Sequence, residues 1–287
     1  MRKAVITDAG FASRYLPITK TIPKAMLPLG NRPIMQFVVE ECVQAGIEEI
    51  IIVATPEGKP IYEDYFNNNV NRIRKQLASQ GKEDRYEPVQ HVLDYPKIVV
   101  ITQDPALPYG NGSPIASARD FLKNEEAFLA LYSDDVVFGK KGTALALVEA
   151  FEKNPEAEAI IGVQEVEGRE IEKYGSVKFK KDGKSVETVI EKPKMEEAPS
   201  QLASYGRYLL RQSVFEFLNN EEIGKDNELW TADAVDKLAK KAKVLTARAN
   251  GQWMTTGDPE NYFIAHLKYV VDHEKYAERV KKFVEEM

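Results

Sequence analysis

The residues with the clearest chemical potential lie in one loop near the start of the chain. Gly10 comes shortly after an apolar strand predicted over residues 3–7, and Arg14 and Lys24 follow it. Small residues let backbone N–H groups approach a phosphate closely, and the two cations add positive charge. A glycine loop at the carboxyl end of the first strand of an open α/β sheet is where nucleotides tend to bind. Taken alone, the same pattern also describes a glycine turn with two solvated cations.

Charged residues follow two other predicted strands. Asp134 and Asp135 come just after a buried-type strand that ends at Tyr132, and Glu191 and Lys192 follow another such strand. A carboxylate oxygen of Asp134 suits a Mg²⁺ ion that bridges phosphates. Charged pairs after strands also form ordinary solvated turns, so the spacing alone leaves both interpretations open.

Alternating strands and helices in the first 150 residues must position these side chains. Strands are predicted over residues 3–7, 49–54, 97–102 and 127–132, and helices over residues 33–45, 60–79 and 113–122. Such alternation predicts a parallel, doubly wound sheet.

The second half of the chain has more strands and fewer long helices. Strands are predicted over residues 160–166, 175–179, 185–190, 204–210 and 244–249, with helices near 213–219, over 231–241 and from about 259. No repeat, low-complexity tract or clear linker separates the halves. We therefore expect one α/β domain with a Rossmann-like, doubly wound mixed sheet.

Composition excludes several classes of protein. The 287 residues carry a net charge of -6, which argues against a general nucleic-acid or anionic-membrane binder. Three histidines and the single Cys42 leave little for a zinc site or a disulfide framework. Asp8 interrupts the first apolar run, and no stretch approaches the length of a membrane span. The cytoplasm is the expected compartment.

The loop resembles the signature of bacterial UTP–glucose-1-phosphate uridylyltransferases. The match runs through Arg14, Leu16, Pro17, Thr19, Lys20, Pro23, Lys24, Met26, Leu27 and Pro28. Further family motifs follow in the same order over residues 36–41, 45–47, 102–103, 107–112, 133–135, 174–175, 191–194, 198–200, 206–208 and 233–234. So many motifs in one order are not expected by chance.

The resemblance implies that UTP transfers its uridylyl group to glucose 1-phosphate and releases pyrophosphate. Charge spreads over phosphoryl oxygens in such a transfer, so catalysis depends on positioning and electrostatic stabilisation. Arg14, Lys24 and Lys192 are the expected catalytic cations. Mg²⁺ is the expected cofactor, with Asp134 as its ligand.

The resemblance also implies binding residues for the nucleotide and the sugar. Ala9 and Gly10 are expected beneath the nucleotide phosphates, Gln103 beside the uracil edge, and Gly112 against the face of the base.

For the sugar, Gly175 is expected to allow close backbone approach, Glu191 to bind its hydroxyls and Lys192 to bind its phosphate.

The expected architecture is that of nucleotide-diphospho-sugar transferases. One domain would span residues 1–287, with a nucleotide-binding half over about 1–150, a sugar-binding β region over about 151–260, and a C-terminal helix over about 259–287. Relatives form oligomers, so a homodimer or homotetramer is expected. A helical apolar stripe could face either the core or a partner; it consists of Tyr262, Phe263, His266, Leu267, Val270 and Val271.

Six residues depart from the family pattern inside the expected site, among them Ser13 in place of a threonine and Ser113 in place of a histidine. Asp8 and Ala12 replace smaller residues near the triphosphate, Ala25 replaces a glutamate, and Thr255 replaces a second metal-binding aspartate. These changes leave two hypotheses. The chain is an active uridylyltransferase, or it is a catalytically impaired paralogue that binds nucleotide sugar as a regulatory or assembly partner.

Three other residues have a structural and a functional interpretation. Arg207 could contact a phosphate or belong to a buried ion pair, and the sequence favours neither. Trp230 and Trp253 are expected in the core or an interface rather than as stacking platforms for a base.

Overall fold

A mixed sheet forms the centre of the computed structural model, which describes residues 1–221, 223–224, 227–273 and 275–287. Its strands are rich in aliphatic and β-branched residues, which favour buried strands. The strands are β1 (Lys3–Asp8), β2 (Pro28–Leu29), β3 (Arg32–Pro33), β4 (Glu49–Ala54), β5 (Lys97–Thr102), β6 (Ala127–Tyr132), β7 (Asp135–Lys141), β8 (Ala159–Glu165), β9 (Gly175–Phe179), β10 (Val186–Glu191), β11 (Leu202–Arg211), β12 (Val244–Ala247) and β13 (Asn250–Thr255).

The sheet combines a parallel half with an antiparallel half. Strands β5, β4, β1 and β6 are neighbours in that order and run parallel. The long strand β11 pairs antiparallel with β6, β8 and β9, and it thereby joins the two halves. Strand β10 extends the sheet beyond β9, and β12 pairs parallel with β8. The predicted mixed sheet is confirmed.

Helices cover both faces of the sheet, as a doubly wound fold requires. They are α1 (Ile34–Gln44), α2 (Lys59–Asn67), α3 (Asn71–Ser79), α4 (Glu87–Leu93), α5 (Gly112–Ser117), α6 (Arg119–Leu122), α7 (Thr143–Lys153), α8 (Thr231–Lys241), α9 (Pro259–Asp272) and α10 (Ala277–Glu285). Apolar residues of α1, α2, α4 and α7 form the core on one face, and those of α5, α6 and α8 form it on the other. Over the described residues, none of these helices is long and apolar enough to cross a membrane.

Several predicted helices have different bounds. The helix predicted over 60–79 is interrupted at residues 68–70 and forms α2 and α3. The helix predicted over 113–122 is likewise two short helices, α5 and α6. The one predicted near 213–219 is a 3₁₀ turn at Gln212–Glu216. In each case apolar spacing indicated a helix, but it did not reveal where the backbone turns.

Strands β7 and β13 were not predicted, and they lie next to the carboxyl end of β6. They pair antiparallel, with Thr255 opposite Asp135. Beyond this pair, the backbone N–H and the hydroxyl of Thr256 donate to the carbonyl of Asp134 at 2.6 and 2.9 Å. The segment after β13 therefore lies beside the acidic end of β6.

Arg207 is a member of a buried ion pair, which resolves the two interpretations of this residue. Its side chain is fully buried, and Nε and Nη2 lie 3.0 and 2.9 Å from Oε2 of Glu41. The guanidinium also donates to the carbonyls of Tyr132 at 2.9 Å and Asp135 at 2.5 Å. The other Glu41 oxygen accepts from the backbone N–H of Ala144 at 2.9 Å. This network joins β11, α1 and α7 behind the end of β6.

Arg207→Met is expected to reduce the free energy of unfolding by about 3–5 kcal/mol, because it leaves the Glu41 carboxylate buried without its cation. Chemical denaturation followed by circular dichroism measures this loss. Lys178→Ala is the control, since it breaks the exposed Lys178–Glu187 pair and should cost less than about 1 kcal/mol. Equal losses from the two variants would contradict the structural importance of the buried pair.

Candidate functional site

The carboxyl ends of the parallel strands open onto a cavity of about 810 Å³. This edge of an open α/β sheet is the usual place for a ligand, and the volume is in the range of ligand pockets. Most of the residues predicted for the site line this cavity: Ala9, Gly10, Arg14, Lys24, Gln103, Asp134, Gly175, Glu191 and Lys192. Residues from distant parts of the sequence thus converge on one space.

Gly112 does not have the position predicted for it. It lies at the start of α5, where its N–H donates to the carbonyl of Leu229 at 2.8 Å. A Cβ there would lie 2.8 Å from a side-chain carbon of Leu218, so packing excludes a larger residue. Gly110, with φ of +134°, lines the cavity instead. The glycine pattern located the loop but not the glycine that faces the cavity.

Lys24 and Asp134 form an ion pair in the cavity wall, with Nζ and Oδ2 2.6 Å apart. Burial alone would lower the pKa of Lys24, but the Asp134 carboxylate raises it above its usual value. Burial alone would raise the pKa of Asp134, but Lys24 holds it below its usual value. Both groups are therefore charged at neutral pH.

Asp8 lies beside this pair, and hydroxyl groups bind its carboxylate. Ser133 Oγ donates to one oxygen at 2.7 Å, and the Tyr62 hydroxyl donates to the other. Burial raises the pKa of Asp8, although both hydrogen bonds and Lys24 oppose the shift. This shift towards the neutral form weakens the repulsion between Asp8 and a phosphate relative to an exposed carboxylate.

Ala12 has a backbone conformation that glycine adopts at little cost. Its φ of 45° and ψ of 41° are left-handed, which costs a residue with a Cβ about 1–2 kcal/mol. The Ala12 carbonyl accepts from the Thr19 hydroxyl and the Tyr15 N–H, both at 3.0 Å. These bonds hold the turn at Ala12.

Glu191 and Gly175 face each other across strands β10 and β9. A Cβ on Gly175 would lie 3.0 Å from a Val189 carbon and 3.4 Å from Oε2 of Glu191, so glycine keeps this space open. Burial raises the pKa of Glu191 to about 7; Lys192 opposes the shift, and two nearby carboxylates add to it. The carboxyl group therefore titrates near neutral pH.

Lys192 has an unusual backbone and an aromatic partner. Its φ of 44° is positive, and its N–H donates to the carbonyl of Tyr174 at 3.1 Å. Its ammonium lies 4.0 Å from the centre of the Trp230 ring, a cation–π contact. Strained residues of this kind are concentrated at functional sites.

Trp230 lines the cavity, whereas the sequence predicted a place in the core or an interface. Trp230 lies just before α8, outside any periodic pattern, so the sequence did not show whether its side chain faces the cavity or the core. Tyr109 and Lys173 also line the cavity and were not predicted. Trp253, in contrast, is buried as expected, and its Nε1 donates to Asp135 at 2.7 Å.

The donors near Asp134 fit a magnesium ion that is shared with a substrate. In the described part of the chain, no three His, Cys, Asp or Glu side chains form a metal-binding group. The Thr255 hydroxyl accepts from the Gly257 N–H at 3.1 Å. Asp258 caps α9 by accepting from the N–H of Asn261 at 3.0 Å. Mg²⁺ commonly uses one or two carboxylates with waters and substrate phosphates, so the single carboxylate of Asp134 fits it.

Comparisons with known proteins match the whole chain. The family model described as nucleotidyl transferase matches residues 3–271. The UTP–glucose-1-phosphate uridylyltransferase of Staphylococcus haemolyticus is 34% identical, over 100% of this chain and 98% of that protein. The enzyme of the same name from Staphylococcus epidermidis is 33% identical with the same coverage.

Solved structures agree with these sequence matches. The UTP-bound UGPase from Acinetobacter baumannii is 28% identical with a TM-score of 0.87, covering 100% of this chain and 99% of that one. A UDP-glucose pyrophosphorylase complexed with UDP-glucose is also 28% identical, with a TM-score of 0.81, covering 95% of this chain and 100% of that one. The similarity therefore includes both halves of the sheet.

Proposed function

We propose, because the chain belongs to the nucleotidyl transferase family, that it transfers the uridylyl group of UTP to glucose 1-phosphate and forms UDP-glucose and pyrophosphate. The convergence of Arg14, Lys24, Lys192 and Asp134 on one cavity carries this assignment. Two anionic reactants need such a concentration of cations, because their phosphates repel each other.

The cations act on the phosphates during the transfer. A phosphate oxygen of glucose 1-phosphate forms a bond to the α-phosphorus of UTP, and the bond from that phosphorus to the leaving pyrophosphate oxygen breaks. Arg14 and Lys24 stabilise the charge on the phosphoryl oxygens, so no protein nucleophile is required. Lys24 exchanges the Asp134 carboxylate for a phosphate oxygen when the nucleotide binds.

A divalent cation is part of the proposed site, and Mg²⁺ is the ion that its oxygen donors suit. Asp134 would hold it through its carboxylate. The ion would neutralise phosphate charge and orient the triphosphate.

The two ends of the cavity bind different parts of the substrates. At the nucleotide end, the Gln103 amide offers a donor and an acceptor to the uracil edge, while Ala9 and Gly10 lie beside the phosphates. At the other end, Glu191 binds sugar hydroxyls and Lys192 binds the sugar phosphate. The ring of Trp230 positions the Lys192 ammonium through a cation–π contact.

The whole chain would act as one domain, with a nucleotide-binding half over about 1–150, a sugar-binding region over about 151–260 and a C-terminal part over about 259–287. The continuous pairing of β6 with β11 supports this division of one sheet. We also propose a cytoplasmic location.

The catalytically impaired alternative has less support. Asp8 and Ala12 were the departures nearest to the phosphates, but hydroxyl groups bind Asp8 and Ala12 preserves the turn. Ala25 is fully buried in the core. Thr255 remains a departure, because a neutral hydroxyl is a poorer Mg²⁺ ligand than an aspartate.

Helix α9 divides the predicted apolar stripe between the core and the surface. Tyr262 and Val270 pack against a buried cluster that includes Tyr269. The Tyr262 hydroxyl also donates to the carbonyl of Pro28 at 2.7 Å. Phe263 and Leu267 are 66% and 47% exposed on the other side. We propose that this exposed face packs against a second copy of the chain in a homodimer or homotetramer.

Lys24→Ala and Asp134→Asn are expected to lower kcat by about 10²–10³-fold, because each removes a group that organises charge at the phosphates. Pyrophosphate release with UTP, Mg²⁺ and glucose 1-phosphate measures the effect. Lys184→Ala, which removes an exposed lysine, should retain wild-type kcat. A folded wild-type protein without turnover would exclude the proposed reaction.

Glucose 1-phosphate affinity is expected to rise as the pH increases through about 7, because ionised Glu191 is the better acceptor for sugar hydroxyls. Below that pH the carboxyl group becomes protonated. Calorimetric titrations from pH 6 to pH 8 measure this dependence in wild type and in Glu191→Gln, which should lose it. The phosphate group itself titrates near pH 6 in both proteins, so the difference isolates Glu191. Identical profiles would contradict the assigned contact.

Leu267→Glu is expected to shift the protein to monomers, because it places a charge in the proposed apolar interface. Light scattering coupled to size exclusion measures the mass. Lys281→Glu, an exposed change of charge on α10, is the control and should leave the mass unchanged. A monomeric wild-type protein would rule out this interface.

A further inference from the structure

Two aspartates of the cavity wall come from the ends of neighbouring strands. Strand β1 pairs parallel with β6, with Thr7 opposite Tyr132. Asp8 is therefore level with Ser133, one residue before Asp134, and the Ser133 hydroxyl donates to an oxygen of Asp8 at 2.7 Å. Adjacent strands lie about 4.8 Å apart, so the carboxylates of Asp8 and Asp134 belong to the same small part of the wall.

The Lys24 ammonium is a cation that both carboxylates face. Its Nζ lies 2.6 Å from Oδ2 of Asp134. Burial lowers the pKa of Lys24, but Asp134 and, more weakly, Asp8 raise it. Burial in turn raises the pKa of Asp8, and Lys24 opposes that rise. One positive charge thus stabilises two carboxylates, and in the proposed mechanism that charge moves to a nucleotide phosphate.

The movement of Lys24 to a phosphate would leave like charges side by side. Asp8, Asp134 and the phosphates would then repel one another across a partly buried wall. A divalent cation removes this repulsion more effectively than one ammonium, because it carries twice the charge. Mg²⁺ beside a nucleotide is commonly bound by one or two carboxylates together with substrate phosphates. The wall therefore has the number of carboxylates that such an ion accepts.

The hydrogen bonds of Asp8 are compatible with metal binding. A carboxylate oxygen has two acceptor positions, and the hydroxyls of Ser133 and Tyr62 each use one position, on different oxygens of Asp8. These two bonds leave one acceptor position on each oxygen. Carboxylates that bind a metal are themselves usually hydrogen-bonded, which fixes their orientation. Ser133 and Tyr62 therefore orient Asp8 without occupying all of its acceptor positions.

Thr255 is the other side chain beside Asp134, and it is neutral. A Cβ built on Gly257 would lie 3.2 Å from the Thr255 hydroxyl oxygen and 3.3 Å from Oδ2 of Asp134, so the two side chains are neighbours. The Thr255 hydroxyl accepts from the Gly257 N–H at 3.1 Å. A second negative charge near Asp134 therefore comes from Asp8 on β1 and not from Thr255 on β13.

We propose that Asp8 is a second carboxylate ligand of the divalent cation at Asp134, an inference that rests on the proposed nucleotide substrate. Asp8 and Asp134 would bind the ion together with phosphate oxygens, while Lys24 binds a phosphate. Under this assignment Asp8 attracts the metal-bound triphosphate, although its charge alone would repel the phosphates.

Calorimetric titrations with UTP, in Mg²⁺ and in metal-free buffer with EDTA, test the assignment. Without Mg²⁺, Asp8→Asn is expected to leave UTP binding unchanged or to strengthen it, because the variant removes a source of negative charge. With Mg²⁺, the same variant is expected to weaken UTP binding about 10-fold or more, since even the loss of an outer-shell partner costs a metal site about 10–100-fold. A purely structural role would weaken both.

Three further variants control this measurement. Glu172→Gln changes another carboxylate that lines the cavity, in the 3₁₀ turn Gly168–Lys173, and should keep the wild-type dependence on Mg²⁺. Tyr62→Phe removes one orienting hydrogen bond and should reduce the Mg²⁺ enhancement by a smaller factor than Asp8→Asn does. The double variant Asp8→Asn with Thr255→Asp should regain most of the enhancement, because it returns a carboxylate to the side of Asp134. Circular dichroism checks that each variant is folded.

The outcomes separate this assignment from the proposed reaction. If Asp8→Asn changes UTP affinity by the same factor with and without Mg²⁺, Asp8 is not a metal ligand, and the proposed function stands. A wild-type protein whose UTP affinity does not depend on Mg²⁺ overturns the shared cation site. A folded wild-type protein that binds UTP under neither condition overturns the proposed function, and the role of Asp8 with it.

Discussion

The ion pair between Lys24 and Asp134 is the contact on which the proposed site depends. In this structure the two opposite charges stabilise each other in the partly buried wall of the cavity. Removing one partner alone would leave an uncompensated charge, which is costly inside a protein. In the proposed mechanism, a cation bound by Asp134 would release Lys24 to a phosphate. The pairing would then couple the binding of the triphosphate to that of a divalent cation.

Neighbouring carboxylates at the end of β6 have separate roles because their environments differ. Asp134 faces the cavity and is held ionised by Lys24, whereas Asp135 points inward and accepts from Trp253 Nε1. Burial and the adjacent Asp134 raise the pKa of Asp135 to about 7. The Arg207 guanidinium lies behind both residues and binds the Asp135 carbonyl. The end of β6 thus has one carboxylate that faces the cavity and another that is held by buried hydrogen bonds.

Sequence patterns predicted the parts of the fold that depend on continuous apolar runs. The bounds of β4, β5, β6 and α8 agree with those predicted, since their apolar residues are local and buried. Strands β7 and β13 depend on pairing between segments more than 100 residues apart, and neither has a strong pattern of its own. Residue type and position after a strand left Lys24 and Asp134 open to two interpretations, and the family resemblance pointed to the cavity that both of them line. The same reasoning could not show that Trp230 faces the cavity, because side-chain direction depends on tertiary packing.

Backbone strain occurs at both ends of the cavity, but for different reasons. Ala12 and Lys192 both have positive φ, a conformation that costs a residue with a Cβ about 1–2 kcal/mol. At position 192 a glycine would remove the strain, but it would also remove the ammonium that lies over Trp230. The methyl of Ala12 makes no comparable contribution, and its turn is held by two backbone-directed hydrogen bonds. Strain at Lys192 therefore follows from the chemistry of the site, whereas strain at Ala12 is tolerated because the surrounding loop is already fixed.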